Sequence, residues 1–220
     1  MEYQELTPAE KLYNFFSKFD LGHFKKGETF LRSGDLPQGI YYLKTGYVRL
    51  YSLSPQGKEL TLVIYKPGEF FPVVFTFAAR PSIYYFETLS EATMYKAPRE
   101  KFMQFISENQ DIFIQVTLHI IERFQTSLKR MESLAFGNVS SRLASVILIY
   151  TKRFGVEYGR GKIRIPIPFT HQDIANLIGA ARESVSLEIK KLVDKKIIGY
   201  KGKSIVVKDL KKLKKEAGLL

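Results

Sequence analysis

From Asn109 to Phe136 the chain carries neither glycine nor proline, and its apolar residues recur at helical spacing. Ile114, Thr117, Ile121, Phe124, Leu128, Met131 and Ala135 follow at intervals of 3, 4, 3, 4, 3 and 4, a coiled-coil seam. A helix over these 28 residues is about 42 Å long, more than a small domain covers alone. Phe113, Val116 and Ile120 form a second apolar stripe. The pattern predicts one stripe packed on the chain's own core and the seam meeting a second copy, a homodimer zipped along the helix. Burial of both stripes within one chain is the alternative.

The flanks read differently. Thr7-Pro8-Ala9-Glu10 opens a helix, with a hydroxyl cap, proline at the first position and a carboxylate at the third. From Phe24 to Tyr95 short Tyr-, Phe-, Val- and Ile-rich stretches are punctuated by glycines, and Gly46, Gly57 and Gly68 stand eleven residues apart. That is strand-turn-strand spacing. Tyr47–Tyr51 and Leu60–Tyr65 are expected strands, joined by a turn at Ser54-Pro55-Gln56-Gly57. Beyond the Gly137-Asn138 break, Ser140 or Ser141 is expected to cap a helix ending at Gly155, followed by a β segment around 162–167. The chain thus reads as α+β: an N-terminal β-roll with its leading helix (1–108), a dimerisation helix (109–137) and a C-terminal basic domain (138–220).

Charge follows the same division. Of a net +12, residues 138–220 hold 18 Lys/Arg against 7 Asp/Glu, and residues 1–137 hold 16 against 15. One half therefore suits a polyanion and the other does not. With no cysteine, disulfides, thiolate clusters and thiol redox sensing are excluded. No metal and no cofactor is called for. The N-terminus is too polar for a secretion signal, and the longest apolar run, Phe70–Ala79, is ten residues, too short for a bilayer. A cytoplasmic protein without a membrane partner is the expectation. HExxH, GxGxxG, P-loop and Gly-x-Ser-x-Gly patterns are absent, which argues against an enzyme.

Within the basic domain, Thr170-His171-Gln172-Asp173 is a capping box, followed by Ile174, Ala175, Leu177 and Ile178. Gly179 closes that helix, and a second begins near Arg182 with Val185, Ile189 and Leu192 on one face. Short helix, glycine turn and second helix make a helix-turn-helix. Residues 197–207 read as a hairpin wing with Lys201-Gly202-Lys203 at its tip, suited to phosphate contact.

These fragments, with Phe24–Glu28, Gly34-Asp35, Tyr41–Val48, Gly57–Glu59 and Pro67–Phe70, resemble the Crp–Fnr family over about residues 12–210. The resemblance implies a cyclic-nucleotide-binding-like β-roll of jelly-roll type and a winged helix-turn-helix that binds double-stranded DNA at a near-palindromic operator. RNA polymerase enters as a further partner. It implies that Arg182 and Glu183 face base edges, since Arg suits guanine O6/N7 and Glu accepts from cytosine N4. Ser184, His171, Gln172, Lys201 and Lys203 match positions near phosphates, and Ser186 lies on the same stretch. Two departures stand out: the third base-reader, usually Arg, is Leu187, and Ala181 stands where Ser or Thr caps the helix.

The roll departs further. Relatives that bind cyclic nucleotides carry Gly-Glu and Arg-Ser where this chain has Pro72-Val73 and Ser82-Ile83, and the adenine-reading hydroxyl pair becomes Ser127-Leu128. The resemblance therefore implies a regulator not controlled by cyclic AMP. Phe70, Phe71, Phe75, Phe77, Tyr84, Tyr85 and Phe86 stand in place of the cassette. Either they fill the roll, or Phe71, Val73, Phe75, Tyr84 and Ser127 line a pocket for an apolar effector; a dense aromatic run is more often core. Two other functions stay open, a nucleotide-regulated binding module and a non-specific nucleic-acid-binding protein.

Overall fold

The computed structural model describes residues 6–218, so the first five residues of the polar N-terminal stretch lie outside the described residues. The chain forms two compact units, residues 1–52 with 63–125, and residues 53–62 with 126–220. The division falls inside the long helix, and a ten-residue segment of the N-terminal half belongs with the C-terminal unit.

Helix α1 (Pro8–Phe16) starts with the expected capping box between Thr7 and Glu10. Eight strands follow: β1 (Leu21–Phe24), β2 (Thr29–Leu31), β3 (Ile40–Thr45), β4 (Val48–Leu53), β5 (Glu59–Tyr65), β6 (Phe70–Phe71), β7 (Tyr85–Thr88) and β8 (Ala92–Ala97). Between β6 and β7 lies α2 (Val73–Phe77), and after β8 come α3 (Arg99–Glu108) and α4 (Gln110–Phe136). The strands make two sheets, ordered β1-β8-β3-β6 and β2-β7-β4-β5, the roll expected from the glycine-punctuated strand spacing. Gly46, Gly57 and Gly68 all hold positive φ (86°, 76° and 87°). Their regular spacing therefore marks the tight turns, where glycine takes a backbone that other residues resist.

The roll's core is aromatic. Phe16, Tyr42, Phe70, Tyr95 and Phe102 cluster with Leu12, Ile40, Ile106, Ile112 and Val116, which brings α1, α3 and the start of α4 onto one sheet. On α4 only Val116 of the expected stripe is buried; Phe113 and Ile120 are exposed. The inward row starts with Ile112 and Val116 and continues through the half-buried His119 and Arg123. Phe113 and Ile120 stand roughly 60° or more round the helix from it. Arg123 holds α4 by ion-pairing with Glu69 at 3.4 Å and lying 4.5 Å from the Tyr65 ring. The seam residues Ile114, Thr117, Ile121, Phe124, Leu128, Met131 and Ala135 are all exposed.

In the second unit, α5 (Val139–Phe154) is capped by Asn138, which accepts from the Ser141 amide at 2.9 Å. The expected cap at Ser140 or Ser141 is thus two or three residues too late, because the Asn138 amide oxygen reaches the third helical N–H first. Gly155 ends the helix as expected. Strands β9 (Val156–Glu157), β10 (Ile163–Ile165), β11 (Ile198–Lys201) and β12 (Ser204–Val207) form one antiparallel sheet, ordered β11-β12-β10-β9. Helices α6 (His171–Ile178), α7 (Arg182–Asp194) and α8 (Leu210–Glu216) complete the unit.

Candidate nucleic-acid interface

Local chemistry sets the α6–α7 corner. Asp173 accepts from the Thr170 amide at 2.8 Å while the Thr170 hydroxyl accepts from the Asp173 amide at 3.1 Å, so the start of α6 is capped from both sides. Gly179 ends the helix in the left-handed region (φ 62°, ψ 43°), and the Ala180 amide returns to the Ala175 carbonyl at 3.1 Å. Only Ala180 and Ala181 then separate Gly179 from α7. Ala181 caps α7 with no side-chain hydrogen bond, so an N-terminal donor goes without the usual hydroxyl. Ile174, Ala175, Leu177 and Ile178 of α6 are buried, as are Val185, Ile189 and Leu192 of α7.

Burying that face of α7 turns the opposite one outward. Arg182, Glu183 and Leu187 are exposed and Ser184 is half-buried, so the positions expected to read bases face solvent together. Leu187 is 62% exposed, an apolar side chain left mostly in solvent. Lys190, three residues further, is exposed on the same face. The family motif does not reach it, but its spacing of seven from Glu183 marks it. The wing forms where expected: Lys201 pairs with Ser204 across β11 and β12, and Gly202 turns the tip at φ 56°. Lys203 is exposed there, and the Lys201 ammonium lies 5.0 Å from the Tyr158 ring centre.

Some expected phosphate contacts are already engaged. His171 Nδ1 lies 2.8 Å from the Ser186 hydroxyl, which also donates to the Arg182 carbonyl at 2.9 Å. The pair joins the start of α6 to the first turns of α7. Gln172 donates to Asn176 Oδ1 at 2.8 Å, and Asn176 donates to Glu59 Oε2 at 2.7 Å. Further along α7, Glu188 is held below its usual carboxylate range, chiefly by the hydrogen bond from Lys191.

In the first unit, the cassette positions contribute packing. Phe71 is fully buried, with its ring centre 4.3 Å from Tyr65 and 5.7 Å from Phe86. Val73, Phe75 and Tyr84 are half-buried around α2, and Phe75 meets Tyr84 edge-on at 6.0 Å. The Ser82 hydroxyl is buried and donates to the Tyr84 carbonyl at 2.8 Å, while Ile83 and Arg80 are exposed. Ser127 is exposed on α4 and belongs to the other compact unit.

Residues 21–109 match the cyclic nucleotide-binding domain, and residues 141–216 match the Crp-like helix-turn-helix domain. The chain belongs to the Crp–Fnr family of transcription regulators, DNA-binding proteins rather than enzymes. It is 26% identical over 194 residues to the CRP-like cAMP-activated global transcriptional regulator of Mycobacterium tuberculosis, covering 88% of this chain and 86% of that one. It is 28% identical over 211 residues to the global nitrogen regulator of a Nostoc species, covering 92% and 94%. A solved CRP/FNR-family transcriptional regulator from Thermus thermophilus superposes with a TM-score of 0.68 at 25% identity, over 90% of this chain and 98% of that chain. Among the described residues, no helix is long and apolar enough to cross a membrane.

Proposed function

We propose that the protein is a sequence-specific regulator that binds a near-palindromic operator as a homodimer joined along α4 and is not controlled by cyclic AMP. The observation that carries this reading is the exposed row Arg182, Glu183 and Leu187 on α7, beside a wing tipped by Lys201 and Lys203. Arg182 and Glu183 read a G·C pair through guanine acceptors and a cytosine donor. Leu187 offers apolar contact in place of the guanidinium usual in the family, so the recognised sequence differs at that position. Ser184, Gln172, Lys201 and Lys203 serve the phosphates and set register without reading sequence. His171 and Ser186 engage each other and act by orienting α7. RNA polymerase is the protein partner this reading brings at a promoter.

The seam supports the dimer: Phe124 is 62% exposed and Met131 56%, and a continuous apolar stripe of this kind marks an association surface. Independence from cyclic AMP rests on what fills the cassette positions. A cyclic phosphate needs a cation and free N–H groups, and Pro72 supplies no amide hydrogen. Val73 and Ile83 are apolar, the Ser82 hydroxyl is spent on Tyr84, and Phe71 packs into the aromatic core. The aromatic run is therefore read as self-filling core.

Selecting bound duplexes from a random pool tests the assignment. The expected product is an inverted repeat with half-sites about 34 Å apart, one turn of DNA. Repeating the selection with Leu187→Arg should add a guanine preference at one position of each half-site. Recovery of unrelated sequences would instead make the chain a non-specific binder, the reading the basic charge alone allows.

A further inference from the structure

Arg130, in the second half of α4, is 9% exposed, yet its guanidinium is held by backbone carbonyls. Nη2 donates to Thr61 at 2.8 Å and to Leu177 at 2.7 Å, and Nη1 donates to Leu62. Leu177 lies in the last turn of α6, where carbonyls lack partners inside the helix and carry the negative end of its dipole. Arg142 serves the same terminus, donating to Ile178 at 3.5 Å and to Gly137 at 2.8 Å. Thr61 and Leu62 lie in β5 at the end of the ten-residue segment that belongs to the DNA-binding unit. The same segment reaches α6 twice more. Glu59 accepts from Asn176, and Leu60 Cδ1 lies 3.8 Å from the space beside Gly179, as does Leu134 Cδ2 of α4.

We propose that Arg130 is a positioning residue for DNA reading: through it, the β4–β5 hairpin sets the pose of α6 and hence of α7. The path is short, since Leu177 stands five residues before Arg182 and the link between the helices is one glycine and two alanines. A shift at the end of α6 therefore moves the base-reading end of α7. The planar guanidinium is what allows one side chain to serve three carbonyls on two elements, a geometry that a lysine ammonium does not supply. Its charge is also felt inside the unit: burial pushes the Tyr150 phenol up, with Arg130 and Arg153 pulling it the other way. A movement of the hairpin is thereby delivered to DNA affinity without any ligand touching the recognition helix.

The inference rests on the DNA-binding reading, so its test has one arm that needs no DNA. Hydrogen exchange on the full-length protein compares wild type, Arg130→Lys and Arg142→Lys. Arg130→Lys should speed exchange about tenfold or more in both the hairpin and the end of α6, because charged hydrogen bonds to both are lost. Arg142→Lys should speed exchange at the end of α6 and around Gly137 while leaving the hairpin unchanged. In the second arm, anisotropy with the selected duplex should show Arg130→Lys binding about tenfold more weakly, with its dimer intact by sedimentation. Unchanged exchange in the hairpin, or affinity equal to or tighter than wild type, overturns the proposal. If the wild type selects no duplex, the DNA-binding reading fails while the exchange arm still decides the clamp. Should Arg130→Lys not fold, Arg130→Gln, a shorter neutral donor that reaches fewer of the three carbonyls, carries the same two readouts.

Discussion

Leu128→Glu tests whether α4 is a dimer seam or a helix that merely exposes apolar side chains. Leu128 is 44% exposed in the single chain. Full burial of a leucine side chain is worth about 1.5–3 kcal/mol, so the part still exposed offers roughly 1 kcal/mol per protomer. A two-fold interface counts it twice, giving about 2 kcal/mol of lost apolar contact. Each carboxylate put there also leaves water without a partner, and the two copies repel across the axis, which adds several kcal/mol. A combined loss of at least ~4 kcal/mol raises the dimer dissociation constant about a thousandfold. Sedimentation at micromolar concentration should then show monomers, with circular dichroism confirming that the helix content is retained. Lys129→Glu, one residue along and off the seam, should leave the dimer intact. If Leu128→Glu sediments as the wild-type dimer, the seam does not hold the two copies together.

Arg182→Ala should cost about 1–3 kcal/mol on the selected duplex and relax preference for one G·C pair per half-site, as read by binding to a panel of single-base variants. Lys203→Ala should weaken all duplexes alike and lower the salt slope by about 1, and sequence-dependent weakening would show that the wing reads bases. Ala181→Ser supplies the missing cap at a backbone that already has the right shape (φ −71°, ψ 145°), so it should add about 1 kcal/mol of stability by denaturant midpoint. Cyclic AMP at about 1 mM should move neither the melting temperature nor DNA affinity, since a ligand at 100 times its dissociation constant adds about 2.7 kcal/mol.

The parts of the fold legible in the sequence are those governed by apolar period and by caps. The α6 capping box, the Gly179 turn, the uncapped start of α7 and the wing all follow from adjacent residues acting through a few bonds. The eleven-residue glycine rhythm gave the roll's turns for the same reason. The site is legible where exposure follows from the burial of a helix's opposite face: once Val185, Ile189 and Leu192 are inside, Glu183 and Leu187 must be outside. The exposure of Lys190 on the same face follows from that argument too, although the family pattern ends before it.

What the sequence hides is the inner face of α4. An apolar-period search selects Phe113, Val116 and Ile120 because it takes apolar to mean inside. The row that turns inward instead becomes polar after Val116, and cations hold much of it: Arg123 on Glu69 and the Tyr65 ring, and Arg130 on the carbonyls of Thr61, Leu62 and Leu177. In a linear sequence these arginines are indistinguishable from solvated ones, since the carbonyls that accept from Arg130 lie 47 to 69 residues away and carry no side-chain signature. The arrangement leaves the helix's strongest apolar stripe unused by its own chain. Held by guanidiniums, the inner row has its rotation fixed, and the Ile114–Ala135 stripe stays turned to solvent.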